Sequence, residues 1–124
     1  MTPELEALAR RAVACPRWRW MPGMAYEERG RKCRVDESYL ASAREDWHHG
    51  CTLVVDDPAT LGCLLALVRE AWGDPRLVAI YCEPAHPGQS EGWAVQCADN
   101  RLPVAGEDHE TEAEALVAAL EAAQ

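Results

Sequence analysis

The residues best placed for metal chemistry are His48-His49-Gly50-Cys51. Imidazole and thiolate are good zinc ligands, and Cys33 or Asp46 would be needed to complete a tetrahedral set. No C-x-x-C pair accompanies them, and adjacent histidines do not readily aim both rings at one ion. A solvated loop beside Trp47 is the plainer reading, with a small metal-dependent enzyme at His48, His49 and Cys51 as the sharper alternative. Gly88-Gln89-Ser90-Glu91-Gly92 spells G-x-S-x-G, the pattern of a serine nucleophile held between a strand and a helix. Here Pro87 precedes it and an apolar, strand-like run follows, so a glycine-rich loop is expected. The carboxylate pairs Asp56-Asp57 and Glu107-Asp108 have the right chemistry for acid and base roles. Asp57 reads better as a helix cap, and Glu107–Glu112 as the negative start of a helix. A phosphate loop and a dinucleotide fingerprint are both lacking, so no cofactor and no catalytic residue is expected.

Binding chemistry is better represented. Arg17, Arg19, Arg29, Arg31, Lys32 and Arg34 are interleaved with Trp18, Trp20 and Tyr26. Guanidinium groups neutralise phosphates and aromatic faces stack on bases. Arg17, Arg19, Arg31, Lys32 and Arg34 are therefore candidates for a small anionic ligand or nucleotide, or for an acidic partner. Self-association into a homodimer through the same segment stands beside that reading. The net charge of −9 is unevenly spread. Residues 1–35 carry eight basic side chains against four acids, and residues 36–124 carry four arginines against seventeen acids. An acidic remainder of that size repels nucleic acid in general and suits a basic groove on a protein partner. Asp99, Glu107, Asp108, Glu110 and Glu112 are the candidate partner-binding charges, and a solvated surface that keeps a small protein dispersed is the plainer account of them.

The elements that must position these groups follow from spacing and punctuation. With 124 residues, 48% of them apolar, the chain can bury one core, and a single domain over 1–124 is expected. Thr2-Pro3 starts a helix whose apolar positions are Leu5, Leu8, Ala9, Ala12 and Val13, and Cys15-Pro16 ends it, giving a helix over 3–14. Arg17-Trp18-Arg19-Trp20-Met21 alternates like a half-buried strand, Pro22-Gly23 and Arg29-Gly30 are turn signals, and Lys32–Val35 alternates again. That predicts a short antiparallel strand pair or meander over 17–35, with Trp18, Trp20, Cys33 and Val35 inward and the arginines outward. The stretch 38–49 fits either a short helix or a loop, and 52–55 either a short strand or the lead-in to the next helix. Asp57-Pro58 opens the clearest helix, with Leu61, Leu64, Leu65, Val68 and Trp72 on one stripe and Gly73 at its end. Strands follow over 76–82 and 93–98, an edge strand over 102–105, and a last helix capped by Thr111 with Glu114. The order is α-ββ-α-ββ(β)-α, an α+β fold in which an antiparallel sheet of about four to five strands packs with three helices.

The six cysteines at 15, 33, 51, 63, 82 and 97 sit among apolar neighbours and are expected as reduced core residues. The start Met1-Thr2-Pro3-Glu4 lacks the layout of a secretory signal, and no apolar run is long enough for a bilayer. A cytoplasmic protein without a membrane role is expected.

Three segments carry a family resemblance: Trp18-Arg19-Trp20-Met21-Pro22-Gly23-Met24, the helix after Asp57-Pro58, and Gly92-Trp93 leading to Thr111-Glu112-Ala113-Glu114-Ala115-Leu116. Together they resemble small bacteriophage and prophage proteins grouped as a phage α-β-α sandwich domain. The resemblance implies the fold and a phage accessory role; action by binding a host or phage protein in the bacterial host cell is the expectation set beside it. It implies no catalytic residue. The stretch Glu27–Gly50 is the part least like that group.

Overall fold

In the computed structural model the described residues are 1–37, 51–84, 86–88, 91–97, 99, 103–106 and 108–123. Their contacts divide the chain into two compact units, Met1–Cys63 and Leu64–Gln124. The α+β class expected from the sequence is what forms, with three helices and five strands among the described residues.

The first unit begins with α1 (Pro3–Val13), where the Thr2 hydroxyl accepts from the Leu5 N–H at 3.2 Å. Glu4 and Glu6 lie in its first turn and Arg10 and Arg11 in its last, the order that suits the helix dipole. Leu8, Ala9 and Ala12 are its buried face. The strand predicted over 17–21 does not form. Trp18 and Trp20 are half-buried and meet edge to face at 5.5 Å, and Trp20 meets Tyr26 in the same way at 6.4 Å. The alternation thus serves ring packing, which needs no ladder of backbone bonds. The strand pair instead consists of β1 (Ala25–Glu28) and β2 (Arg31–Arg34). Arg29 and Gly30 connect them with φ of 51° and 78°, the two left-handed residues of a tight hairpin turn. That turn sets the register, Ala25 opposite Arg34 through Glu28 opposite Arg31. The short β3 (Thr52–Leu53) pairs with the other side of β1, so the sheet runs β2-β1-β3. α1 packs against β3, and Leu8, Ala12, Met24, Tyr26, Val35, Leu53 and Val55 are buried.

The boundary between the units falls within α2 (Pro58–Trp72). Gly73, at φ 64°, ends the helix: its N–H bonds to Glu70 and that of Asp74 to Arg69, the paired closure that glycine permits. Leu64, Leu67 and Val68 are buried on this helix, whereas Trp72 is 38% exposed with its indole N–H on the Ala119 carbonyl at 2.9 Å. The second unit holds an antiparallel pair, β4 (Leu77–Cys82) and β5 (Gly92–Cys97), in register from Leu77 opposite Cys97 to Cys82 opposite Gly92. Of the edge strand expected over 102–105, residue 102 lies outside the described residues, and 103–105 contribute an isolated bridge between Pro103 and Gln96. α3 (Glu112–Ala122) packs on β5 and β4 and buries Leu116, Val117 and Leu120. All six cysteines are free thiols, with Cys15 and Cys97 buried and the other four half-buried. Among the described residues, no helix is long and apolar enough to cross a membrane.

Candidate functional site

Of the five basic ligand candidates, two converge on one carboxylate in the first unit. Arg34 lies at the end of β2, and its two terminal nitrogens reach Asp57 Oδ2 at 2.9 Å and Oδ1 at 3.1 Å. Lys32, two residues earlier and on the same side of the strand, brings Nζ to 2.8 Å from Oδ1. Oδ2 also accepts from the N–H groups of Ala59 and Thr60, at 3.1 and 3.2 Å, and so caps α2 as the sequence indicated. The Asp57 side chain is only 3% exposed, whereas those of Lys32 and Arg34 are about half exposed at 54% and 49%. Hydrogen bonding from Arg34 holds the Asp57 carboxyl far below the usual carboxylate range; burial opposes this, while Lys32 and the Thr60 N–H add to it. The Thr60 hydroxyl, fully buried, accepts from the Ala25 N–H at 2.9 Å, and Arg34 also donates to the Gly23 carbonyl at 2.8 Å. The cluster therefore fastens the hairpin to the start of α2. Arg31 neighbours it on β2, while Arg17 and Arg19 lie exposed between α1 and the Pro22-Gly23 turn.

The acidic candidates belong to the second unit, and Glu107 lies outside the described residues. Asp99 forms an ion pair with Arg76, which also meets Asp74 at 3.4 Å. Asp108 and Glu110 are exposed on either side of His109, which is half-buried. His109 is bridged to β5: Trp93 N–H donates to its carbonyl at 2.7 Å, and its N–H donates to Trp93 O at 3.2 Å. Its Nε2 lies 3.0 Å from the Ala105 carbonyl. Gly92 makes the close approach possible, since a Cβ there would stand 2.7 Å from His109 O, and its φ is 143°. Glu112 is half-buried in the first turn of α3. There the Thr111 hydroxyl accepts from the Glu114 N–H at 3.1 Å, and the Glu114 carboxylate accepts from the Glu110 N–H at 3.1 Å. Carboxylates at this end also face the positive pole of the helix.

The metal candidates His48 and His49 lie outside the described residues, as does the ambiguous segment 38–49. Cys51, just before β3, is half-buried, and burial followed by the nearness of Glu28 and Cys33 pushes its thiol up. Among the described residues no group of three His, Cys, Asp or Glu side chains is arranged to hold a metal. In the G-x-S-x-G segment, Gln89 and Ser90 are also outside, and Gly92 opens a strand rather than a helix. Sequence reasoning also missed a cavity of about 420 Å³ in the first unit, walled by Glu6, Arg10 and Val13 of α1 with Trp20, Cys51 and Leu53. Its only local signal was the spacing of Glu6, Arg10 and Val13, which puts all three on one helix face.

Fold and site together define an α+β protein of two small antiparallel sheets, with a basic hairpin in one unit and an acidic, sheet-fastened segment in the other. No protein-family model, curated protein or solved structure matches the chain.

Proposed function

We propose that this chain is a phage or prophage accessory protein that works by binding in the host cytoplasm, presenting acidic side chains to the basic groove of a host or phage protein. Interference with a host defence or nucleic-acid enzyme is the purpose such a surface serves, because closely spaced carboxylates imitate a run of phosphates. The phage origin draws on the sequence resemblance alone. The binding mode draws on one structural observation, the fastening of His109 to β5, which holds Asp108 and Glu110 out on a fixed segment ahead of α3. Charges already fixed in place lose less conformational entropy when a partner engages them. The alternative, an anionic ligand on the basic segment, has less to draw on, because Lys32 and Arg34 already share the Asp57 carboxylate.

The test is affinity capture from host extract with quantitative mass spectrometry, using wild type beside the Asp108→Lys/Glu110→Lys variant. The expected result is a partner retained by wild type, displaced by short duplex DNA, and lost from the variant. A partner that stays bound to the charge-reversed variant would refute the acidic-surface mechanism.

A further inference from the structure

A two-stranded sheet leaves each strand with one outer edge whose backbone groups need partners. On β5 that edge is occupied: Trp93 exchanges both of its backbone bonds with His109, and Val95 O accepts from Val104 N–H at 3.0 Å. In an antiparallel pair, residues directly opposite each other alternate between bonding to one another and turning their backbone groups outward. Tyr81 stands opposite Trp93, Ala79 opposite Val95 and Leu77 opposite Cys97. Because Trp93 and Val95 bond away from β4, the N–H and C=O groups of Leu77, Ala79 and Tyr81 point away from β5. Those of Leu77 are met locally, its carbonyl by Arg69 Nε at 2.8 Å and its N–H by Asp74 O at 3.5 Å. The backbone groups of Ala79 and Tyr81, two donors and two acceptors, have no partner among the described residues. They lie on the apolar strand Leu-Val-Ala-Ile-Tyr-Cys, which carries neither a lysine nor a proline to discourage pairing.

We propose that this edge is closed by the same edge of a second copy of the chain, with the two β4 strands antiparallel about a two-fold axis at Ile80. In that register Ala79 faces Tyr81 of the partner subunit, and Tyr81 faces the partner's Ala79. Each pair exchanges two hydrogen bonds, so all four outward groups are satisfied. Centring on Ala79 instead sets Tyr81 against a leucine whose groups are already engaged. The proposed axis sets Ile80 against the partner's Ile80 in a non-bonded pair, where cross-strand side chains come closest. The product is a continuous four-stranded sheet, β5-β4-β4-β5, closed by an isologous contact. It uses neither the acidic segment nor the basic hairpin, so it stands apart from the proposed function.

Analytical ultracentrifugation of the full chain tests it, the expected species having twice the 13.7 kDa chain mass. Ala79→Pro removes an outward donor but no bond of the β4–β5 ladder, a position where an edge strand tolerates proline. This variant is expected to sediment as a monomer with an unchanged far-ultraviolet circular dichroism spectrum. Ile80→Cys is expected to cross-link on oxidation through position 80, as mapped by peptide mass spectrometry, and this result decides the matter if Ala79→Pro does not fold. A wild-type chain that stays monomeric at millimolar concentration, a dimer that survives Ala79→Pro, or no linkage at position 80 would each overturn the proposal.

Discussion

Replacing Asp57 separates the two roles of its carboxylate. Asp57→Ala removes both the cap on Ala59 and Thr60 N–H and the partner of Lys32 and Arg34. Losing an aspartate cap costs about 1 kcal/mol. The two cations are half exposed and become hydrated once the carboxylate is gone, so the ion pairs add a smaller amount that salt screens. At about 4 °C per kcal/mol for a chain of this size, Asp57→Ala is expected to lower Tm by at least about 4 °C. Asp57→Asn keeps an equally good cap and loses only the charge, so it falls between the alanine variant and wild type. The folded carboxyl is held below the ordinary value near 3.8, so its charge stabilises the fold fully above that pH and the contribution fades as pH falls toward the lowered value. The gap between wild type and Asp57→Asn should therefore be widest near neutrality and close in acid. Thermal melts followed by circular dichroism across pH read all three quantities. An alanine variant melting with wild type, or an Asp57→Asn gap that widens as pH falls, would refute the reasoning.

Three further outcomes are expected. Gly92→Ala drives a Cβ to 2.7 Å from the His109 carbonyl at a φ of 143°, and should cost more than about 1 kcal/mol in urea unfolding while raising amide exchange at His109. Thr111→Ala removes the cap of α3 and should cost about 1 kcal/mol, whereas Thr111→Ser should melt close to wild type. Cys51, pushed above the ordinary thiol value of 9.0 chiefly by burial, should alkylate slowly with iodoacetamide at neutral pH and faster only well into the alkaline range, as followed by mass spectrometry.

The helix starts were legible because caps are local. Thr2-Pro3, Asp57-Pro58 and Thr111 with Glu114 each act within about one turn, and each opens the helix its spacing predicts. The strands of the second unit were legible for a similar reason, since apolar runs bounded by turn residues leave little choice. The Arg17–Met21 segment misled because alternation reports which side chains are buried and not whether the backbone has a ladder partner. β1 was hidden for the converse reason: Ala25-Tyr26-Glu27-Glu28 has a weak pattern, and the left-handed Arg29-Gly30 turn pins its register. The second role of Asp57 was not legible, because Arg34 lies 23 residues away and nothing local links them. The fastening of His109 to Trp93 was missed in the same way, as was the crowding that requires glycine at position 92.

The Asp57 cluster also orders events in time. Its bonds to Ala59 and Thr60 span two and three residues, whereas those to Arg34 span 23. Closing the longer loop costs more chain entropy, so the cap and the first turn of α2 are expected to form ahead of the salt bridge. The carboxylate is then already oriented when the β1–β2 hairpin arrives, and its two cations complete a receptor that the helix start has built. On that order the helix start is the template, and docking of the hairpin onto it is the later step. Substitutions at Lys32 or Arg34 should accordingly act mostly on the unfolding rate.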